Sequence, residues 1–324
     1  MFESRSPAAP LSPATRPEVS VVSPIYGCKD CLEHLVERVE QALARITSSY
    51  EIILVDDASP DGAWSRISEI AQHRESVIGV RLSRNFGQHA AITAGLGISK
   101  GFKVIVMDCD LQDRPEEIPN LLAALRGDTE IALAQRVQRQ DKALKRAGSF
   151  AFYKFLGWLT GATYDHTTAN FGAYSRKTVD VIVAMPEQER FLPMLVRWTG
   201  LKTAHVPVTH EARDAGDSGY TLRRLLRLAA SIALSYSDKP LRLVVGAALI
   251  FALLSIGVVA FSISRYWVGD TQVAGFTSII ASVWLIGSAI LASVGVLGLY
   301  VGRIFSSAKQ RPHYVISTIT GHRP

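Results

Sequence analysis

The sequence predicts an α/β fold, a mostly parallel sheet with helices on both faces, followed by two C-terminal helices of membrane-spanning length. Three observations predict it. Short apolar, β-branched runs alternate with longer amphipathic stretches from Val19 onward, which is how strand–helix–strand units read. Aspartates stand at the ends of two of these runs. Two apolar stretches, 241–263 and 276–301, close the chain; Arg242 at the start of the first is their one charge, and each has about the 20 residues a helix needs to cross a hydrocarbon core.

Taken in order, residues 1–17 are rich in Pro, Ser and Ala, with no charged segment before a long apolar core, so they read as a disordered tail and not a signal peptide. Residues 19–23 form the first strand and lead to a helix from about Asp30 to Ile46, with Asp30 expected as its cap and Glu33 completing a capping box. A strand at 51–55 precedes a helix at 61–73. A strand at 77–82 precedes a helix at 88–99, a strand at 103–107 precedes one at 115–126, and 130–134 is a further strand. Ligands in such sheets sit outside the carboxyl ends of the strands. Acidic residues occupy those ends here: Asp56 and Asp57 after the second strand, Asp108 and Asp110 after the fourth.

Charge fixes the expected topology. Lys239 and Arg242 flank the first apolar stretch and Arg303, Lys309 and Arg311 follow the second, whereas the connection 264–275 sets Arg265 against Asp270. By the positive-inside rule both outer flanks are cytoplasmic, which makes the chain a multi-pass membrane protein whose N-terminal two-thirds lies in the cytosol. Tyr266, Trp267 and Tyr300 suit interface anchors. The competing reading, buried helices of a large soluble core, does not account for those flanks. The expected organisation is a soluble domain over 18–220, an amphipathic juxtamembrane segment over 221–240, two spans within 241–302 and a cytosolic tail over 303–324.

The 324 residues are 48% hydrophobic and carry a net charge of +6. Basic clusters at Lys142, Lys145 and Arg146, and at Arg223, Arg224 and Arg227, suit anionic headgroups or phosphates, with solvated helix faces as the plain alternative. No nucleic-acid motif accompanies them. The segment 221–236 reads as an interfacial helix on the cytoplasmic leaflet. Three cysteines, Cys28, Cys31 and Cys109, make no disulfide framework; Cys28-x-x-Cys31 lacks the second ligand pair of a zinc site and reads as part of a strand-to-helix turn.

The sharpest chemical signal is the run from Val106 to Asp113. In extended backbone, Asp108 and Asp110 project to one face while Cys109 turns into the core, so two carboxylates meet one hard cation. Mg²⁺ or Mn²⁺ held this way keeps positions open for diphosphate oxygens and offsets the charge on a departing nucleoside diphosphate.

Several segments together resemble the family 2 glycosyltransferases of GT-A fold, and within them the polyprenyl-phosphate glycosyltransferases. They are SPIY at 23–26, ILVDDASPDGAW at 53–64, RNFGQHAAITAGL at 84–96, MDCDLQDRPEEIP at 107–119, ERFLPML at 189–195, EARDAGDSGY at 211–220, DKPLRL at 238–243 and GLYVGRIFSSAKQRPHY at 298–314. The resemblance implies a nucleoside pocket of Pro24, Tyr26, Val55 and Asp57, a metal and donor-diphosphate site of Asp108 and Asp110 with Gln112 nearby, and Arg213 neutralising phosphate. It places the acceptor phosphate at Arg136, Arg146 and Ser149, where the guanidinium fork suits phosphate oxygens. It further implies a membrane-bound homo-oligomer, a tetramer, that uses a nucleotide sugar, a UDP-sugar first, and a polyprenyl phosphate, with no nucleic-acid partner. Inversion at the anomeric carbon is expected. No protein base is required, because a phosphate monoester is largely ionised near neutral pH with a second pKa of about 6; Asp165 and Asn170, in the segment resembling the acceptor side, supply no clear one.

The chain departs from the family at three places. P-x-Y-N-E is here Pro24-Ile-Tyr-Gly27-Cys28, G-E-S-K-Y is Gly216-Asp-Ser-Gly219-Tyr220, and the glutamate of the tail is Leu299. Two other functions stand beside lipid-phosphate glycosyl transfer. A processive polysaccharide synthase would carry Q-x-x-R-W, but Met194 stands where that glutamine belongs before Arg197-Trp198. A degenerate, non-catalytic membrane partner is the other.

Overall fold

The computed structural model describes residues 16–136, 168–187, 190–208, 239–267 and 276–321, in two compact units. The first unit is an eight-stranded sheet with helices on both faces. Its strands are β1 (Val19–Ile25), β2 (Tyr50–Asp56), β3 (Val77–Leu82), β4 (Lys103–Val106), β5 (Ile131–Arg136), β6 (Thr168–Ser175), β7 (Thr203–Val208) and β8 (Ile316–Thr320). Its helices are α1 (Leu32–Leu43), α2 (Ala63–His73), α3 (Gln88–Ile98), α4 (Ile118–Ala124), α5 (Arg176–Ala184) and α6 (Leu192–Trp198). The second unit contains α7 (Lys239–Trp267) and α8 (Phe276–Ala308).

The strand order is β7-β5-β6-β4-β1-β2-β3-β8. β4, β1, β2 and β3 run parallel, β5 and β7 are parallel to each other, and β6 and β8 are antiparallel to their neighbours. β1 is buried throughout because both its faces are covered, and its side chains divide by alternation. Val19, Val21 and Ile25 pack with Leu35 and Val39 of α1, Ile67 of α2 and Leu121 of α4. Val22 joins Ile53, Val55, Ile92 of α3, Ile182 of α5 and Leu195 of α6 on the other face. A fully buried Leu or Ile of this kind costs about 2–5 kcal/mol when cut to Ala.

Gly95 brings α3 unusually close to the sheet. A Cβ there would collide with Val22 and press on Val55. Close packing at the middle of α3 aims its first turn at the carboxyl ends of β2 and β4, where the site lies.

Two expectations need correction. The capping box before α1 does not form: Lys29–Cys31 is a 3-10 turn, Cys31 stands at the N-cap of α1 without a side-chain bond, and Glu33 pairs with Arg66 at 2.5 Å and Arg74 at 3.3 Å. The cap is supplied from outside, since Asp61 of the next loop accepts from the Lys29 N–H at 2.9 Å. The tail after the second apolar stretch is not all tail, because 316–320 is β8, closing the sheet edge against β3. β6, which the sequence reading did not assign as a strand, lies between β4 and β5.

α7 and α8 are 29 and 33 residues long, or about 43 and 50 Å at 1.5 Å per residue, more than a hydrocarbon core of about 30 Å. Among the described residues one stretch, Leu285–Gly302, is long and apolar enough to cross a membrane, with mean hydropathy 2.0 and none of it buried; α7 holds a shorter apolar run, Leu241–Ile250. Large apolar side chains stand exposed on both helices, Leu253 at 69% and Leu291 at 74%. The segments 1–15 and 221–236 lie outside the described residues.

Candidate active site

Four loops at the carboxyl ends of β1, β2, β3 and β4 build the site, and hydrogen bonds tie each to another. After β1 the chain turns through Tyr26, exposed at 54%, and Gly27 in the left-handed region at φ 71. The Gly27 N–H donates to Ser59 Oγ at 2.8 Å, and that hydroxyl donates to Asp61 Oδ1 at 2.6 Å. Asp61 also accepts from the Ala63 N–H that opens α2. These bonds to its carboxylate hold Asp61 below the usual aspartate range, although burial opposes them.

Asp56 closes β2, Asp57 follows it, and both are buried. Asp56 accepts from the Ser59 N–H at 2.8 Å, and Arg81 lies 3.5 Å from its other oxygen. Asp57 reaches across to the loop after β3, where one oxygen accepts from the Phe86 N–H at 2.7 Å and the other from the Gly87 N–H at 2.8 Å. Burial raises both carboxyls above the usual range; for Asp57 the two amides and the Arg84 charge pull the other way. Expected as a nucleoside acceptor, Asp57 thus has a structural task first: both oxygens hold the loop that starts α3.

That loop places two further side chains that carried no role in the sequence reading. Gln88, first residue of α3, donates its side-chain amide to Asp108 Oδ1 at 2.6 Å. The carboxylate is acceptor-only, so the amide nitrogen must face it. His89 packs edge-on against Phe191, 4.9 Å between centroids, and Nδ1 accepts from the Leu192 N–H at 3.5 Å. Burial pushes its imidazole down to about 4, so it is neutral near pH 7. The segment behind it is anchored by buried Arg190, whose guanidinium donates to the Met185 and Ile182 carbonyls at 2.7 Å, at the C-terminal end of α5 where a cation is favoured.

Beyond β4 the expectation of an extended Asp-Cys-Asp run fails. The strand ends at Val106, the chain turns at Cys109 and Asp110, and Leu111 takes a positive φ of 57. Asp108 and Asp110 remain partly exposed while Cys109 is buried, so the inside-outside assignment survives without strand geometry. Asp110 Oδ1 accepts from the Gln112 N–H at 3.3 Å. Cys109 is bonded to Cys28 of the loop after β1, which the sequence reading did not expect. Among the described residues no three Asp, Glu, His or Cys side chains gather into a cation site. Two partly exposed carboxylates two residues apart nevertheless fit a hard divalent ion that keeps several positions for phosphate and water oxygens.

The other expected residues divide clearly. Pro24 and Val55 are register partners across β1 and β2, and the Val55 side chain lies wholly in the core, so it can only back a pocket. Arg136 ends β5 opposite Val208 of β7. Its side chain, and Arg146, Ser149 and Arg213, lie outside the described residues.

Residues 20–180 match the family model described as glycosyl transferase family 2. An uncharacterized glycosyltransferase of Synechocystis is 33% identical over 305 residues, covering 94% of this chain and 96% of that one. The chain belongs to glycosyltransferase family 2. The undecaprenyl-phosphate 4-deoxy-4-formamido-L-arabinose transferase of Serratia proteamaculans resembles this glycosyltransferase at 32% identity over 310 residues, 95% of each chain. Glucosyl-3-phosphoglycerate synthase from Mycobacterium tuberculosis, solved with Mn²⁺, UDP and phosphoglyceric acid, is similar at TM-score 0.48 and 17% identity, over 68% of this chain and 78% of that one. The sheet of this family 2 enzyme, with its aspartates beyond β2 and β4, is the GT-A arrangement, an α/β fold with a mostly parallel sheet.

Proposed function

We propose that this glycosyltransferase moves a sugar, with inversion, from a nucleotide sugar to polyprenyl phosphate, undecaprenyl phosphate first, at the cytoplasmic face of the inner membrane. The observation that carries the reading is the convergence of the Tyr26 loop, the Asp57-held loop and the Asp108–Asp110 turn at the carboxyl ends of the strands, in a chain whose α7 and α8 expose long apolar surfaces. The name of the Serratia relative, similar over nearly the whole length of both chains, supports the lipid acceptor. A UDP-sugar is the first donor to test.

Tyr26 offers an exposed ring to the base. Asp108 and Asp110 would hold Mg²⁺ or Mn²⁺, which when bound supplies Lewis-acid neutralisation of charge on the departing diphosphate. Gln88 keeps Asp108 turned toward the site, and the neutral His89 next to it in the chain adds no competing charge. The acceptor phosphate is its own nucleophile, so Arg136, Arg146 and Ser149 need only hold and orient it, with Arg213 on the donor diphosphate. Both α7 and α8 span the membrane, joined by a short connection on the far side.

The test is a panel of UDP-, GDP- and dTDP-sugars incubated with the purified full-length protein, undecaprenyl phosphate and Mg²⁺ or Mn²⁺, with the lipid product weighed by mass spectrometry. One added sugar residue from one donor, lost on chelation and in Asp110→Asn, is the expected result. A growing polymer would mean a processive synthase, and no product from any donor a non-catalytic partner.

A further inference from the structure

We propose that Cys28 and Cys109 are a thiol–disulfide modification site built into the donor site, with small-molecule disulfides and thiols as its reaction partners. The two residues are 81 positions apart, and their Cα atoms lie 6.5 Å from each other with the sulfurs bonded, a separation within the range that disulfides span, about 4.4–6.8 Å. Cys31, three residues from Cys28, is not part of the bond. The pairing therefore joins two loops rather than closing a C-x-x-C turn.

Both loops face the donor, and the inference rests on that reading of the site. Cys28 follows Tyr26 and Gly27, while Cys109 lies between the two carboxylates that would hold the cation. The bond ties the buried Cys109, which lies between Asp108 and Asp110 in a turn, to the loop after β1, so the turn that carries both carboxylates is pinned at its middle. Cys109 cannot shift without dragging the β1 loop, whose Gly27 is itself held by Ser59. Breaking the bond frees the turn to bring Asp108 and Asp110 onto one ion. The reduced protein is the cation-binding form and the oxidised protein the resting one. Disulfides in reducing compartments are mostly transient and regulatory, which suits a reversible bond at such a place.

Cys28 is the more exposed of the pair and Cys109 is buried, which sets the order of events. The Cys28 sulfur attacks one sulfur of a small disulfide, giving a mixed disulfide and releasing one small thiol. The Cys109 sulfur then attacks Sγ of Cys28, forming the protein disulfide and releasing the second small thiol. Two protein thiols lose two electrons and two protons, and the small disulfide gains them. Excess small thiol reverses both steps.

The experiment compares full-length protein equilibrated with oxidised or reduced glutathione, by peptide mapping without reductant and by calorimetric titration of Mn²⁺ with UDP, GDP or dTDP. The oxidised sample should give a peptide linking 28 to 109 that reductant removes, and should bind the cation–nucleotide pair about ten- to a hundredfold more weakly, the range for disturbing the support of a metal ligand. In Cys28→Ser the two treatments should give the same affinity, and Cys109→Ser should behave likewise. No 28–109 peptide, a 28–31 peptide in its place, or equal affinity in the oxidised and reduced wild type overturns the proposal. A 28–109 peptide from a protein that, fully reduced, binds neither cation nor any of the three nucleotides overturns it through the donor-site reading beneath it.

Discussion

The Gln88 side-chain amide and Asp108 Oδ1 meet at 2.6 Å, joining the first residue of α3 to the first carboxylate beyond β4. Gln88 is held in turn, because Asp57 fixes the two residues before it through their N–H groups. Order at the end of β2 is thus passed to a carboxylate two strands away. In Gln88→Glu a repelling charge replaces the donor. The cation concentration for half-maximal binding of UDP, followed by calorimetry, should rise about ten- to a hundredfold, as for other residues supporting metal ligands. Thermal stability should change little, and Gln88→Ala should fall between Glu and wild type. Unchanged cation dependence in both variants would remove Gln88 from the site.

Asp57 carries a different expectation. Its hydrogen bonds to two backbone amides are charge-assisted, and each such bond contributes about 1.5–3 kcal/mol. Asp57→Ala leaves the Phe86 and Gly87 N–H groups without that partner, so the variant should both melt earlier and bind nucleotide more weakly. Asp57→Asn can serve one N–H well and not both, and should lie between. Lost nucleotide binding with an unaltered melting temperature would instead make Asp57 a direct ligand of the base, as the resemblance implied.

How much of this was legible beforehand follows from which contacts are local. β1 to β4 are short apolar runs rich in Val and Ile and announce themselves, as do the aspartates at the ends of β2 and β4. β6 does not: Thr-Ala-Asn-Phe-Gly-Ala-Tyr-Ser mixes residues that favour strands with Gly, Asn and Ala, and becomes a strand because β4 and β5 pair with it on both sides. β8 is separated from its partner β3 by more than two hundred residues and both long helices. In the site, the Asp-x-Asp signal was readable, whereas Gln88 and Cys28 take their roles from residues 20 and 81 positions away. The Gln88 signal was present in the RNFGQHAAITAGL run, which resembled the family without a role for that glutamine.

His89 predicts a pH dependence. Its folded pKa of about 4 lies below the ordinary 6.5. Between those values the unfolded chain binds a proton that the folded chain refuses, so this residue's contribution to stability falls as pH drops from about 6.5 to about 4. Asp56 and Asp57, raised by burial, push oppositely, since their folded forms take up protons earlier. The useful quantity is therefore the difference between wild type and His89→Gln, which should shrink on acidification through that window when melting is followed at each pH. A difference independent of pH would mean that His89 is not held neutral.

Basic flanks on the outer sides of both apolar stretches predict the topology. In Thr271→Cys, made in a background lacking the native cysteines, the thiol should react with an impermeant maleimide added to intact cells. A cysteine at Ser317, in β8, should react only after the cells are opened. Labelling of the second and not the first would place the sheet outside the cytoplasm and overturn the expected site of reaction.

Arg136 separates acceptor chemistry from donor binding. It ends β5, two strands from β4 across β6, and the resemblance assigns it, with Arg146, to the lipid phosphate. A charge-assisted contact to phosphate contributes about 1.5–3 kcal/mol, and 1.4 kcal/mol is about tenfold. Arg136→Ala or Arg146→Ala should accordingly raise the apparent KM for undecaprenyl phosphate, or lower turnover, by about ten- to a hundredfold. Nucleotide affinity measured by calorimetry without lipid should stay as in wild type, because no donor atom is touched. Lysine at either position should restore part of the loss: it supplies the charge and not the two-pronged geometry. Loss of nucleotide binding with a normal response to lipid would move both arginines to the donor diphosphate, and the acceptor would then have to be held elsewhere along the sheet edge.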